Sequence, residues 1–334
     1  MKRRAATMNS GSSGSPMAGS GCSLCERPAV IRLFDPERRL CADHLLADCA
    51  ERVDDALKGR IAPGDRVAVG LSGGKDSRLL LILLHRLLAS SEGVHLVAIT
   101  IDEGIAGYRE ETMEAAAELT SRLGVEHRVL SFSDLFGADL DALLTNRVEQ
   151  GCTVCGVLRR RALEVGAADA DATVIATGHN LDDEAQSVLM NLLRGDLPRM
   201  VLDTSGGLPE CFIPRIKPLS VLSEKEITVC LMMMGEFVDL PECPYAGGAL
   251  RGEVREILAD LEFMYPGTMR RLISSRDQVR DIVGMMPRQG EIQRCLRCGG
   301  TASGEICSVC RVLGRTDISS GTMIDERDTD GNDG

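Results

Sequence analysis

The sequence predicts an α/β fold: a doubly wound parallel sheet flanked by an N-terminal and a C-terminal zinc-finger module. Three observations carry that prediction. Apolar runs of strand type alternate with helical patterns between residues 66 and 194. A Gly-rich loop ending in a lysine joins the first such run to its helix. Cysteines in Cys-x-x-Cys pairs stand on either side of this region.

Composition narrows the function classes. The chain has 334 residues, 44% of them hydrophobic, enough for a sizeable core. No apolar run approaches the ~18 residues of a membrane span, so no membrane partner is expected. Aromatic residues are 3% and Trp is absent, so base stacking is not expected to dominate binding. A formal net charge of -12 argues against a protein that coats nucleic acid. Thirteen cysteines could build a secreted disulfide scaffold, but most are grouped at metal-ligand spacing and no signal-peptide core precedes them. A reducing, cytoplasmic setting is the reading. The five Lys against thirty-three Arg fit a high-salt cytoplasm, and GC-rich coding produces the same bias.

Along the chain, residues 1–20 are Ser/Gly-rich and read as a disordered tail. Residues 21–60 form the first zinc module and a helix near 44–58. Residues 61–205 are expected to form the α/β domain that carries the Gly-rich loop. Its strands are predicted at 66–71, 95–101, 127–132 and 172–178, and its helices at 78–89, 109–123, 158–168 and 182–194. Residues 206–290 form a helical continuation, with a short Pro-bounded run at 212–219 and helices at 224–236 and 247–261. A zinc ribbon occupies 291–315. The tail 316–334 holds six acids and one Arg and reads as disordered.

The most informative motif is Ser72-Gly73-Gly74-Lys75-Asp76-Ser77, directly after the first strand. Glycines let backbone approach a phosphate, helix amides point at the anion and Lys75 adds charge. It is not a Walker A loop, because Asp76 follows Gly74-Lys75 and Val69 stands where that motif needs Gly. Asp102, in Asp102-Glu103-Gly104-Ile105, ends the second strand where such folds hold a nucleotide. Gly178-His179-Asn180-Leu181-Asp182-Asp183-Glu184 ends the fourth strand, and its acids serve either the site or helix capping.

Cys152 and Cys155, followed by Arg159-Arg160-Arg161, combine with Cys243 as three thiols at the sheet edge. Spacing alone leaves three readings: a metal cluster with one open position, a redox disulfide, or part of a zinc site. The arginine run is either a solvated helix face or, with Arg194, Arg199, Arg215 and Arg251, local positive character for RNA. Cys22, Cys25, Cys41 and His44 offer one tetrahedral zinc set, and Cys295, Cys298, Cys307 and Cys310 a second. Cys49, Cys211 and Cys230 read as buried small hydrophobes, and His85, His95 and His127 as structural.

The strand–SGGKDS–helix segment resembles the PP-loop ATP pyrophosphatases, which have an adenine nucleotide alpha-hydrolase-like fold and cleave ATP between its α- and β-phosphates. Taken with CTVCGVLRRR, GHNLDDEAQSVLMNLLRGD, CPYA and the two zinc modules, residues 22–310 resemble the tRNA 2-thiouridine synthetases of the archaeal and eukaryotic cytoplasmic type. That resemblance implies ATP-dependent exchange of oxygen for sulfur at C2 of a tRNA uridine. ATP and Mg²⁺ would sit on Ser72–Ser77 with Asp102, Gly178, His179 and Asp183. Lys75 and Arg159 would stabilise phosphate charge, and Asp183 matches a catalytic acidic position. Cys152, Cys155 and Cys243 would ligate a 4Fe-4S cluster. The resemblance also implies a homodimer, with a ubiquitin-like sulfur carrier protein or sulfide as donor. The T-loop branch has Lys four residues after the second cysteine of its CxxC. Arg159 stands there, so wobble uridine is the favoured target, with T-loop or cytidine thiolation and a non-enzymatic zinc RNA-binding subunit as the alternatives.

Overall fold

Val67, Ala68 and Val69 have no solvent exposure, as befits a parallel strand covered on both faces. In the computed structural model, which describes residues 21–145, 150–201, 212–245, 250–284, 293–302 and 304–314, that run is the centre of a five-stranded sheet.

The chain enters through an antiparallel hairpin, β1 (Ile31–Phe34) and β2 (Glu37–Leu40), and helix α1 (Ala42–Leu57). Then come β3 (Arg66–Gly70), α2 (Lys75–Leu87), β4 (His95–Asp102), α3 (Arg109–Leu123) and β5 (Glu126–Ser131). Two short helices, α4 (Phe132–Phe136) and α5 (Leu140–Leu143), precede the long α6 (Gly151–Asp169). Next are β6 (Val174–Ala176), α7 (Leu181–Leu193), α8 (Leu197–Val201) and β7 (Arg215–Ile216). After a 3-10 turn at Pro218–Val221 follow α9 (Glu224–Met234), α10 (Leu250–Met264) and α11 (Thr268–Gly284). The hairpin β8 (Gln293–Arg294) and β9 (Thr301–Ala302) and helix α12 (Ser308–Leu313) complete the described chain.

The sheet order is β5-β4-β3-β6-β7, and every pairing is parallel. The doubly wound parallel sheet is therefore as the strand–helix alternation predicts. Alternation along β3 fills both layers: Val67 and Val69 pack with α1, α2, α3 and α9, while Ala68 packs with α6. Helix α2 buries Leu79 through Leu84 without interruption, each side chain contributing about 2 kcal/mol of burial. Helices α7, α10 and α11 share a separate cluster around Ala185, Val254 and Leu258.

Several boundaries differ from expectation. Helix α2 begins at Lys75, three residues early, because Gly74 takes extended backbone and serves as its N-cap. Helix α6 begins at Gly151 rather than 158, which puts both cysteines of Cys152-x-x-Cys155 inside a helix. β6 is only three residues long, and β5 lies one residue earlier than expected. The helices α4, α5, α8, α11 and α12 have no counterpart among the sequence expectations; α4 is closed by a Ser131 cap on the Asp134 amide and by Gly137 at φ 79°. The two tails and Cys211 fall outside the described residues. Among the described residues no helix is long and apolar enough to cross a membrane.

Candidate active site and metal centres

Strands β3 and β6 are neighbours, but the connections from their carboxyl ends run to opposite sides. Such a switch point opens a crevice at the sheet edge. The loop after β3 is Ser72–Ser77. Ser77 Oγ accepts from the Ser72 amide at 3.1 Å and donates to Gly74 O at 3.0 Å, which closes the loop on itself. Gly73 has φ 89°, and a Cβ there would lie 2.1 Å from Thr112 O. No side chain caps α2 at Gly74, so its first amides face the crevice with the positive end of the helix dipole. The loop after β6 lies against them: a Cβ on Gly178 would come within 3.0 Å of the Ser77 nitrogen.

Charged groups gather around this crevice. Lys75 Nζ lies 2.9 Å from Glu224 Oε1 and 3.2 Å from Asp76 Oδ2. Burial works against charge on Lys75, but these two carboxylates outweigh it and raise the ammonium's proton affinity. Burial lifts Asp76 above the usual carboxylate range, although Lys75 and Asn180 Nδ2, at 3.2 Å, oppose the shift. Burial and Lys217 push His179 down, and its Nδ1 lies 2.9 Å from Thr177 Oγ1. Of the acids at this helix start, Asp183 helps cap α7. Asp183 and Asn180 form a reciprocal capping box at 3.3 and 2.9 Å, while Asp182 Oδ2 accepts from the Glu224 amide at 2.8 Å. Asp183 Oδ1 also faces Arg251 at 3.6 Å. Asp102 borders a cavity of about 440 Å³ shared with Ile105, Arg109, Asp139 and Asp141.

The thiols lie on the other face of the sheet. Cys152 and Cys155, three apart, share one side of the first turns of α6. Cys152 is exposed and Cys155 buried. Cys243 is half-buried, and two residues later Tyr245 is bound at both ends: its carbonyl accepts from Cys152 Sγ at 3.1 Å and its hydroxyl donates to Asp141 at 2.7 Å. Arg159 Nη2 donates to Cys155 Sγ at 2.9 Å. Burial raises the Cys155 thiol above its ordinary value, with Arg159 pulling the other way. All three thiols are free. Among the described residues, Cys152, Cys155 and Cys243 are not a set whose ligand atoms lie within 4.8 Å of one another. One tetrahedral zinc does not fit them, whereas a polynuclear cluster, taking one thiolate per iron, spans a wider gap.

The zinc sets are tighter. Cys22 Sγ and His44 Nδ1 are 3.3 Å apart, Cys41 and His44 3.4 Å, and Cys25 and Cys41 3.8 Å. In the second set Cys295 and Cys310 are 3.8 Å apart, and Cys298 and Cys307 3.6 Å. Bonds of about 2.0–2.3 Å to a tetrahedral zinc require ligand separations of roughly 3.5 Å, and a disulfide requires about 2.05 Å. Both donor sets fit zinc and neither fits a disulfide. A third close group, Asp48, Cys49 and Glu226, is occupied by the Arg52 guanidinium, which pairs with both carboxylates.

Comparison with known proteins decides the family. The PP-loop domain family matches residues 45–232. The tRNA 2-thiolation protein NcsA of Haloferax volcanii is 34% identical over 313 residues, 87% of this chain and 98% of that protein. Cytoplasmic tRNA 2-thiolation protein 1 of Mus musculus is 37% identical over 310 residues, 89% of this chain and 73% of that protein. The chain belongs to the tRNA 2-thiolation protein family. A solved relative, the U34-tRNA thiolase NcsA of Methanococcus maripaludis with its 4Fe-4S cluster, superposes with a TM-score of 0.80 at 30% identity, covering 91% of this chain and 98% of that one.

In this member of the 2-thiolation family, the arginine run divides among three tasks. Arg159 sits on Cys155 and on Glu103, at 2.8 Å. Arg160 is lowered by burial and by its neighbours Arg215 and Arg199, with Glu164, itself 2.9 Å from Arg215, opposing the shift. Arg161 lies against Gly300 of the C-terminal module, within 3.0 Å of where a Cβ would stand. Two groupings escaped the sequence reading. Cys49 and Cys230 are buried as expected but touch at 3.4 Å across 181 residues. Glu103 and Arg109 form a buried ion pair at 2.8 Å, and neither carries a spacing signal.

Proposed function

We propose that this protein is an ATP-dependent tRNA 2-thiolation enzyme that replaces the C2 oxygen of the wobble uridine, U34, with sulfur. The observation that carries the reading is one sheet bearing a phosphate loop at Ser72–Ser77 and a three-cysteine group at Cys152, Cys155 and Cys243. The loop amides and Lys75 hold the triphosphate and stabilise charge as the uridine O2 attacks the α-phosphate. Pyrophosphate leaves, and C2 becomes electrophilic with AMP as its leaving group. Sulfide then adds to C2 and AMP departs. Mg²⁺, when bound, would neutralise phosphate charge, with Asp76 and Asp183 as the carboxylates that would hold it, and Asp102 and His179 would border the nucleotide. A 4Fe-4S cluster on the three cysteines, when bound, supplies an iron without a protein ligand where sulfide can be carried. Arg159 donates to Cys155 and supplies fixed charge there, because a guanidinium keeps its proton. The two zinc sites are closed and structural.

The tRNA meets the Arg160, Arg199 and Arg215 cluster beside the C-terminal module. A ubiquitin-like carrier or free sulfide delivers sulfur to a homodimer in the cytoplasm. The test is nucleoside mass spectrometry of tRNA from a strain lacking this protein. The expected result is loss of 2-thiouridine derivatives at position 34, restored by the wild-type gene and not by Cys152→Ser. Intact wobble thiolation with loss of a T-loop or cytidine thiolation would reassign the target. An unchanged profile would overturn the function.

A further inference from the structure

The sulfur-transfer reading, on which this inference rests, poses a problem of distance. The activating phosphate and the incoming sulfur must meet at one carbon atom. Yet the phosphate loop opens α2 and the thiols open α6, on opposite faces of the sheet. One buried side chain spans the gap. Glu103, at the end of β4, is 3% exposed. Its Oε1 lies 2.8 Å from Arg159 Nε and its Oε2 lies 2.8 Å from Arg109 Nε. Arg159 continues to Cys155 Sγ at 2.9 Å, and Arg109 continues to Ser72 O at 3.3 Å.

We propose that Glu103 is a positioning residue that sets the thiol group relative to the ATP-binding loop, one carboxylate oxygen acting on each arginine. A buried carboxylate between two guanidiniums is poor material for stability, since packed apolar side chains of similar volume often do as well or better. It is better material for geometry, because buried opposite charges at 2.8 Å resist separation even though the Glu103 Oε2–Arg109 Nε contact lacks hydrogen-bond alignment. The uridine–AMP adduct has two fates. Sulfide attack at C2 expels AMP and leaves 2-thiouridine; water attack at C2 expels AMP and restores uridine. AMP forms in both and thiouridine only in the first, so misplacement of the sulfur appears as AMP released without thiolation.

The experiment uses the full chain, loaded anaerobically with iron and sulfide and given ATP, sulfide and a substrate tRNA. Thiouridine formed per tRNA-dependent AMP is measured. Glu103→Gln is expected to lower that ratio roughly tenfold or more, the scale of effect produced by sub-ångström to 1 Å misplacement. An unchanged ratio overturns the inference. Arg159→Gln is expected to give a similar loss. The charge-balanced double variant, Glu103→Gln with Arg159→Gln, is expected to be no worse than Arg159→Gln alone, because one residue acts through the other. An additional loss in the double variant overturns the inference, and this comparison stands even where Glu103→Gln alone does not fold. A second readout is independent of turnover. Releasing Arg159 from Glu103 alters the N–H donor and the charge beside a cluster ligand, so the reduction potential of the iron–sulfur group, titrated by EPR, is expected to shift in Glu103→Gln. A constant potential overturns the tie to Cys155. Wild-type protein that forms no tRNA-dependent AMP would overturn the thiolation reading and this inference with it, whereas a coupled wild type beside an equally coupled Glu103→Gln overturns this inference alone.

Discussion

A methyl group on residue 73 would land 2.1 Å from Thr112 O on a backbone with φ 89°, so only glycine closes the phosphate loop. Gly73→Ala should cost about 2–4 kcal/mol, the sum of left-handed strain and overlap with a backbone that cannot retreat. Next to it, a Cβ on Gly74 would meet only Ser72 Oγ at 3.5 Å. Gly74→Ala should cost about 1 kcal/mol or less in urea unfolding while weakening ATP binding in calorimetry. The glycines were legible as a motif, but which one is sterically obligatory depends on Thr112 in a different helix. His127 yields a second expectation. Burial holds its imidazole below the ordinary value, and Nε2 lies 2.8 Å from Thr100 Oγ1, which itself donates to Leu71 O. The neutral ring is therefore the folded form. Its contribution is complete above the unfolded value of about 6.5 and is lost as pH falls below it. Stability measured from pH 7.5 down to 5.5 should decline more steeply in wild type than in His127→Gln.

Elements succeed where local chemistry agrees with packing. The α7 start was readable as an acid-rich helix opening, and its cap proves to be Asn180, which also donates to Asp76 at 3.2 Å. Asn180→Ala should lose about 1–2 kcal/mol in denaturant unfolding, with cap and buried donor removed together. It should also loosen Asp76, raising KM for ATP. The sequence pattern starts helix α6 seven residues late because Gly151-Cys152-Thr153 carries no apolar periodicity. What supports that first turn is tertiary: Tyr245 packs within 3.2 Å of the Gly151 position, from almost a hundred residues away. β7, two residues long, exists only as an edge pairing to β6, below the length at which alternation is visible.

At the scale of the molecule, the two cysteine-rich modules sit differently. Cys22, Ile31, Leu40 and Cys41 belong to the same core cluster as Val67 and Leu79, whereas Cys295, Cys307 and Cys310 form a cluster of their own. Val309, Val312 and Leu313 of the second module only flank the core around α6, so metal loss at the first site should propagate further into the sheet domain than loss at the second. Cys41→Ser is expected to lower the Tm of the main calorimetric transition by several degrees. Cys298→Ser should leave that transition in place while removing one of two zinc equivalents by elemental analysis. The flanking modules and the doubly wound sheet were plain from cysteine spacing and alternation; the unequal integration was not, because it depends on which side chains the hairpin buries. The pairing of Lys75 with Glu224 also joins distant parts of the chain. An ATP phosphate reaching Lys75 would compete with a carboxylate already in place, and Glu224, whose Oε1 also lies 2.9 Å from Arg255, would keep that second partner. The resting enzyme thus carries its own weak antagonist. Glu224→Gln, which removes that rival charge, should bind ATP several-fold more tightly and release pyrophosphate more slowly.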